Sequence, residues 1–145
     1  MTIRNAATNL GAKACLPPKL YNAASWSVVF DVGPWRAVII SFTHYTHNTT
    51  GGSVTFDLQD SDSSSGPFTD VPGMTSTLVS PLTNTLSGEY WTIQAESVRR
   101  FVRVAVNVPA SSSCITAASW VGHAPMNQRD PDFDWDLDSA IAIPR

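Results

Sequence analysis

The sequence predicts an all-β fold, an antiparallel β-sandwich or jelly roll with an extended C-terminal arm. Three observations carry that prediction. Apolar and polar residues alternate with a period of two in several short runs, the pattern of half-buried strands. Clusters of Gly, Pro, Asn and Ser separate those runs as turns. No stretch of ten or more residues shows a 3.6-residue period. The 145 residues match one domain, since single domains cluster at about 100–150 residues. Only 14% of them are charged, well under the usual ~25%, so the strand faces are polar mainly through Ser and Thr.

The elements follow in chain order. Residues 1–24 are expected as an N-terminal extended segment, 25–122 as the sandwich and 123–145 as the arm. Ser25–Val32 alternates, with Trp26, Val28, Phe30 and Val32 facing inward. Gly33-Pro34 stops that strand, because proline cannot donate to the ladder. Residues 36–46, apolar on both faces up to Ile40, suit a central strand. The turn residues 47–52 that follow predict a hairpin to 53–60. There Val54, Phe56 and Leu58 point inward. Residues 60–73 read as a surface loop with a short strand near Phe68–Val71, and 74–88 carry no clear pattern. Further strands are expected at 89–95, with Trp91 and Ile93 on one side, at 98–108, with Val102, Val104, Val106 and Val108 inward, and at 114–122. By phase, Trp26 and Trp91 are expected inside. Trp35 and Trp120 are the candidates for exposed aromatics.

Charge excludes some partners. The net charge is −3, and residues 129–145 hold all of the excess, five Asp against two Arg. The neutral body lacks the clustered cations that nucleic acid requires. The N-terminus has no apolar signal-peptide core, and the longest apolar run is too short for a bilayer, so a cytosolic site of synthesis and no membrane are expected. In that compartment Cys15 and Cys114 are expected as buried free thiols.

No residue pattern points to catalysis, a metal or a cofactor. His44, His47 and His123 could in principle ligate zinc, but a strand and a turn do not aim the first two together. No serine sits in a nucleophile elbow, and no carboxylate pair is directed at a cleft. The sequon at Asn48 is a chance match. The Asp row from 130 to 138 fails the calcium-loop pattern, having Trp135 where glycine is needed and Ile141 where glutamate is needed.

That row is instead one side of a ribbon. In RDPDFDWDLDSAIAIPR, residues 129–145, Asp130, Asp132, Asp134, Asp136 and Asp138 alternate with Pro131, Phe133, Trp135 and Leu137. Extended, it is acidic on one side and apolar on the other, with Ile141 and Ile143 beyond. Burying each large apolar side chain stabilises by roughly 1.5–3 kcal/mol, and a sheet edge would satisfy the backbone groups. The expected partner-binding residues are therefore Phe133, Asp134, Trp135, Asp136, Leu137, Ile141 and Ile143, together with Trp35 in the body. Docking on a neighbouring subunit is favoured over folding back.

The stretch SVTFDLQDSDSSSGPFTDVPG (53–73), followed by RRFVRVAVNV (99–108), resembles small β-sandwich virion proteins of tailed bacteriophages, found as head-decoration (cement) or minor structural components. The resemblance covers roughly residues 25–122. It implies a jelly-roll module, commonly a homotrimer, that binds the major capsid protein lattice at the capsid surface, is assembled in the host cytoplasm and has no catalytic residues. The rival expectations are a carbohydrate- or receptor-binding sandwich using Trp35, Trp120 or Tyr45, and a tail or connector structural protein.

Overall fold

A computed structural model describes residues 10–125. Two antiparallel sheets pack face to face. In the first, β1 (Leu10–Tyr21) pairs with β9 (Ser113–Pro125), β9 with β4 (Trp35–Asn48), and β4 with β7 (Ser87–Gln94). In the second, β8 (Phe101–Asn107) takes β2 (Ser25–Trp26) and β3 (Phe30–Asp31) on one side. On its other side lies β5 (Val54–Ser61), which pairs in turn with β6 (Thr69–Leu78). With β2 and β3 taken as one interrupted strand, every connection except β5–β6 passes between the sheets. That is the winding of a jelly roll.

Alternation builds the core. Val38, Ile40 and Phe42 of β4 face Val54, Phe56 and Leu58 of β5 and Val102, Val104 and Val106 of β8, all buried. β-branched and aromatic side chains suit such half-buried pleats. At roughly 1.5–3 kcal/mol per large side chain, this layer is the main favourable contribution to folding.

The structure corrects several expectations. β4 and β5 are not a hairpin; they lie in different sheets. Turn chemistry marks where the chain bends but does not choose the next partner. Here the bend is latched to the β8–β9 connection. Ser112 Oγ accepts from the Gly51 N–H at 3.1 Å and donates to the Gly52 carbonyl at 2.8 Å. A Cβ on Gly51 would lie 1.6 Å from the Ala110 carbonyl oxygen, so only glycine fits.

The strand expected at 25–32 is broken. Buried Ser27 bonds the Val104 carbonyl and accepts from the Val104 N–H, while the Val28 N–H turns to the Cys15 carbonyl of the other sheet. Alternation is interrupted there, so Trp26 falls outside at 58% exposure although Val32 is buried. Trp120, expected outside, is wholly buried and stacks on Phe30 at 5.2 Å. Its inward neighbours on β9, Thr116 and Ala118, are small enough to leave room for it.

The unpatterned 74–88 region contains the end of β6 and the start of β7. Residues 10–21, expected only as extended, form the edge strand β1, and β9 continues past 122 to Pro125. Cys15 and Cys114 are free and buried at different levels of the β1–β9 ladder, Cys114 opposite Tyr21 and Cys15 beside the Ala14–Ser119 pair. Burial pushes their thiols up to about 12 and about 11.

Candidate partner-binding surfaces

The outward residues of the first sheet carry no charge. They are Ile39, Ser41, Thr43 and Tyr45 on β4, Ile115, Ala117, Ser119 and Val121 on β9, and Tyr90 and Thr92 on β7. Leu20 of β1, opposite Ile115, extends this face and is itself exposed. A shallow depression of about 240 Å³ sits in the middle, lined in part by Ala14, Pro18, Ser41, Thr43, Ala117 and Ser119.

The outer face of the second sheet is the opposite. Asp57 accepts from Thr75 at 2.6 Å and from Asn107 at 2.6 Å, so one carboxylate ties β6, β5 and β8. One rung on, Arg103 donates to Gln59 at 2.8 Å and Gln59 to Asp70 at 2.8 Å. The Arg103 guanidinium lies 5.4 Å from the Trp26 ring and 4.2 Å from the Phe68 ring. Arg99 grips Asp60 through Nε at 2.8 Å and through its backbone N–H at 2.9 Å, and it also donates to Thr69 Oγ1. Burial opposes ionisation of Asp60, but these bonds outweigh it and hold the carboxyl below the usual carboxylate range.

Trp35, the one expected binding residue among the described ones, lines an open cleft of about 570 Å³ with Val32, Arg36, Gln94, Glu96 and Arg100. A glycine seats it. A Cβ on Gly122 would lie 2.4 Å from the indole, so the ring rests directly on β9. Arg100 in the cleft is paired with Asp31 at 2.9 Å. Phe133, Asp134, Trp135, Asp136, Leu137, Ile141 and Ile143 lie outside the described residues.

The histidines do not converge. His44, against the expectation of a surface or half-buried position, is buried beside Phe42 and Phe56, with Nε2 3.3 Å from Glu89. His47 Nε2 bonds the Ser80 carbonyl. Ser76 Oγ also donates to Glu89. The acid thus bridges serine and histidine, whereas a nucleophilic triad needs the histidine between them. Among the described residues no group of three His, Cys, Asp or Glu could hold a metal ion.

The uncharged face was only half visible in the sequence. The alternation of Ser41, Thr43 and Tyr45, and of Ala117, Ser119 and Val121, marks them as outward. That these rows lie side by side depends on β4 and β9 being neighbours, which no local pattern states.

No family model and no curated protein matches this chain. Among solved structures it is similar to the SPBc2 prophage-derived protein YomS, with 15% identity, 78% of this chain and 93% of that one covered, and a TM-score of 0.49. It is also similar to a protein of Bacillus endospore appendages, described as a novel family of disulfide-linked pili, with 15% identity, 80% and 89% covered, and a TM-score of 0.47. A third likeness, to a CBM4 structure, has 12% identity, 80% and 70% covered, and a TM-score of 0.40.

Proposed function

We propose that this chain is a non-enzymatic structural protein of a phage particle, a head cement or decoration protein. It would bind the major capsid protein lattice and neighbouring subunits, as a homotrimer at the capsid surface. The observation that carries this reading is the uncharged outer face of the first sheet. A protein face that stays in water gains solubility from charge, whereas one that is covered by protein must strip solvent from every ion it holds. The sequence resemblance at 53–73 and 99–108 supports the same reading. The two-faced ribbon at 130–138 adds a second contact by strand addition across subunit boundaries.

Copy number in purified particles tests it. Hundreds of copies fit a capsid protein and a handful fit the tail or connector alternative, while absence from particles rejects both. Deleting residues 129–145 should lower occupancy and leave the thermal midpoint of the sandwich within a few degrees.

A second reading follows from the cleft at Trp35, whose aromatic floor and polar rim of Gln94, Glu96 and Arg36 suit a sugar ring. Buried Trp120 takes no part in it. Titration with a broad glycan panel should then quench tryptophan fluorescence; no response in any member rejects it.

A further inference from the structure

We propose that the free edge of β7 accepts residues 130–138 of a second copy of this chain as an added strand. This rests on the structural reading above and names the surface that its ribbon would meet.

The first observation is that the other sheet edges are protected and this one is not. Natural sheets blunt their edges with proline, lysine, bulges or very short strands. β1 carries Pro17 and Pro18, Lys13 and Lys19, and two shifts of register against β9. β6 carries Pro72 and Gly73, the latter at φ +78°. β2 and β3 are two residues each. β7 runs for eight residues without proline, lysine, arginine or a register shift against β4. Its only charge, Glu89, is engaged with Ser76 and His44. Among the described residues, β7 is paired on one side only.

The second observation is apolar surface in the same place. The three most exposed large apolar side chains are Tyr90 at 73%, Leu86 at 71% and Val79 at 69%, all within residues 79–90. The Ser76–Glu89 bond shows that β6 and β7 flank the same side of the sandwich. There Met74, Leu78 and Trp91 pack against the core but are only partly covered. An added strand would satisfy the free N–H and C=O groups of β7. It would also lay Phe133, Trp135 and Leu137 over Met74, Leu78 and Trp91. The Asp row would then stand in water beside Tyr90 and Thr92.

Chain length assigns the ribbon to a second copy. β9 ends at Pro125, opposite Trp35 of β4, and the near end of β7 is Gln94, opposite Ala37. Returning within one molecule requires a reversal of direction and a crossing of β4, which is about 10 Å for two strand spacings. Residues 126–129 reach at most about 14 Å fully extended. The crossing alone takes most of that length and leaves too little for the turn. A neighbouring molecule imposes no such limit.

The test is cysteine cross-linking between full-length chains. Thr92→Cys in a tagged chain is mixed with untagged Asp132→Cys, Asp134→Cys or Asp136→Cys and treated with a short bismaleimide. Cys15 and Cys114 are buried and do not compete. A covalent heterodimer in at least one mixture, at ten times the yield of a control with Lys13→Cys on β1, is the expected result. No heterodimer above that control overturns the proposal. So does a cross-link found only inside chains carrying both cysteines. Trp135→Asp with Leu137→Asp should weaken self-association in sedimentation at least tenfold without moving the thermal midpoint, and unchanged self-association also overturns it. Copy number in particles separates this from the virion reading: a cross-linking protein absent from particles sinks only the latter, and an abundant particle protein without cross-links sinks only the former.

Discussion

The two outer faces of this sandwich are built from the same pleat and do different work. On the second sheet, carboxylates, amides and guanidinium groups bond one another across β6, β5 and β8, with Arg103 stacked between Trp26 and Phe68. On the first, Ser, Thr, Ala, Ile and Tyr stand outward with no charge among them. Cross-strand pairs of the former kind each contribute roughly 0.2–1 kcal/mol to holding strands together. The latter face contributes little of that kind, but covering it requires no ion to be desolvated. The low overall charge is therefore not a general dilution. It reflects one face from which charge is missing.

The largest expected effect comes from putting charge where there is none. Ala117→Arg, in the shallow depression of the first sheet, should cut occupancy on particles by about 100-fold or more, because an unpaired buried charge costs several kcal/mol. Its thermal midpoint should stay near that of the native protein. Thr77→Arg, exposed on β6 of the second sheet, is the control and should leave occupancy alone. Equal losses from the two substitutions would erase the distinction between the faces.

The converse change acts on stability instead. Asp60→Asn removes the carboxylate that Arg99 grips and should lower unfolding stability by about 1–2 kcal/mol in urea, the range for hydrogen bonds to charged groups in a half-open setting. Binding to particles should not change. Normal stability in this variant would mean that the Arg99 clamp is decorative.

Much of this division was legible before folding was considered, and the rest was not, for definite reasons. Period-2 alternation placed Val54, Phe56, Leu58, Val102, Val104 and Val106 inside, since a strand over one core admits one phase. It misplaced Trp26, because Ser27 interrupts the ladder and an interrupted strand carries no phase across the break. It misplaced Trp120 because the cue there was a position near a turn, while the room for its ring comes from Thr116 and Ala118 and from Phe30 on the other sheet. The cleft at Trp35 joins residues from both sheets, so its aromatic was legible and its arginines and glutamate were not. The open edge of β7 lies in the stretch where the sequence shows least pattern. Its strand is defined by pairing with β4 rather than by its own alternation.

Proton linkage gives the smallest effect and the finest test of the comparison. Burial pushes the His44 pKa below its ordinary value near 6.5, with Glu89 acting against that shift. The unfolded chain therefore binds the extra proton first as pH falls past about 6.5, and stability declines from there. Asp31 and Asp60 are shifted the same way. The Arg100 hydrogen bond lowers Asp31, and for Asp60 the bonds from Arg99 overcome burial. Their contribution is complete above the usual carboxylate value of about 3.9 and is lost as pH falls through the depressed folded values. Urea midpoints measured from pH 7 to 3 should thus fall in two steps. His44→Gln should remove the upper step and Asp60→Asn should shrink the lower one. No histidine or carboxylate stands among the outward residues named on the first sheet, so binding through that face should hold over the upper step while stability declines. Occupancy that tracks the His44 step would mean that the contact depends on the fold's inner charge and not on its uncharged surface.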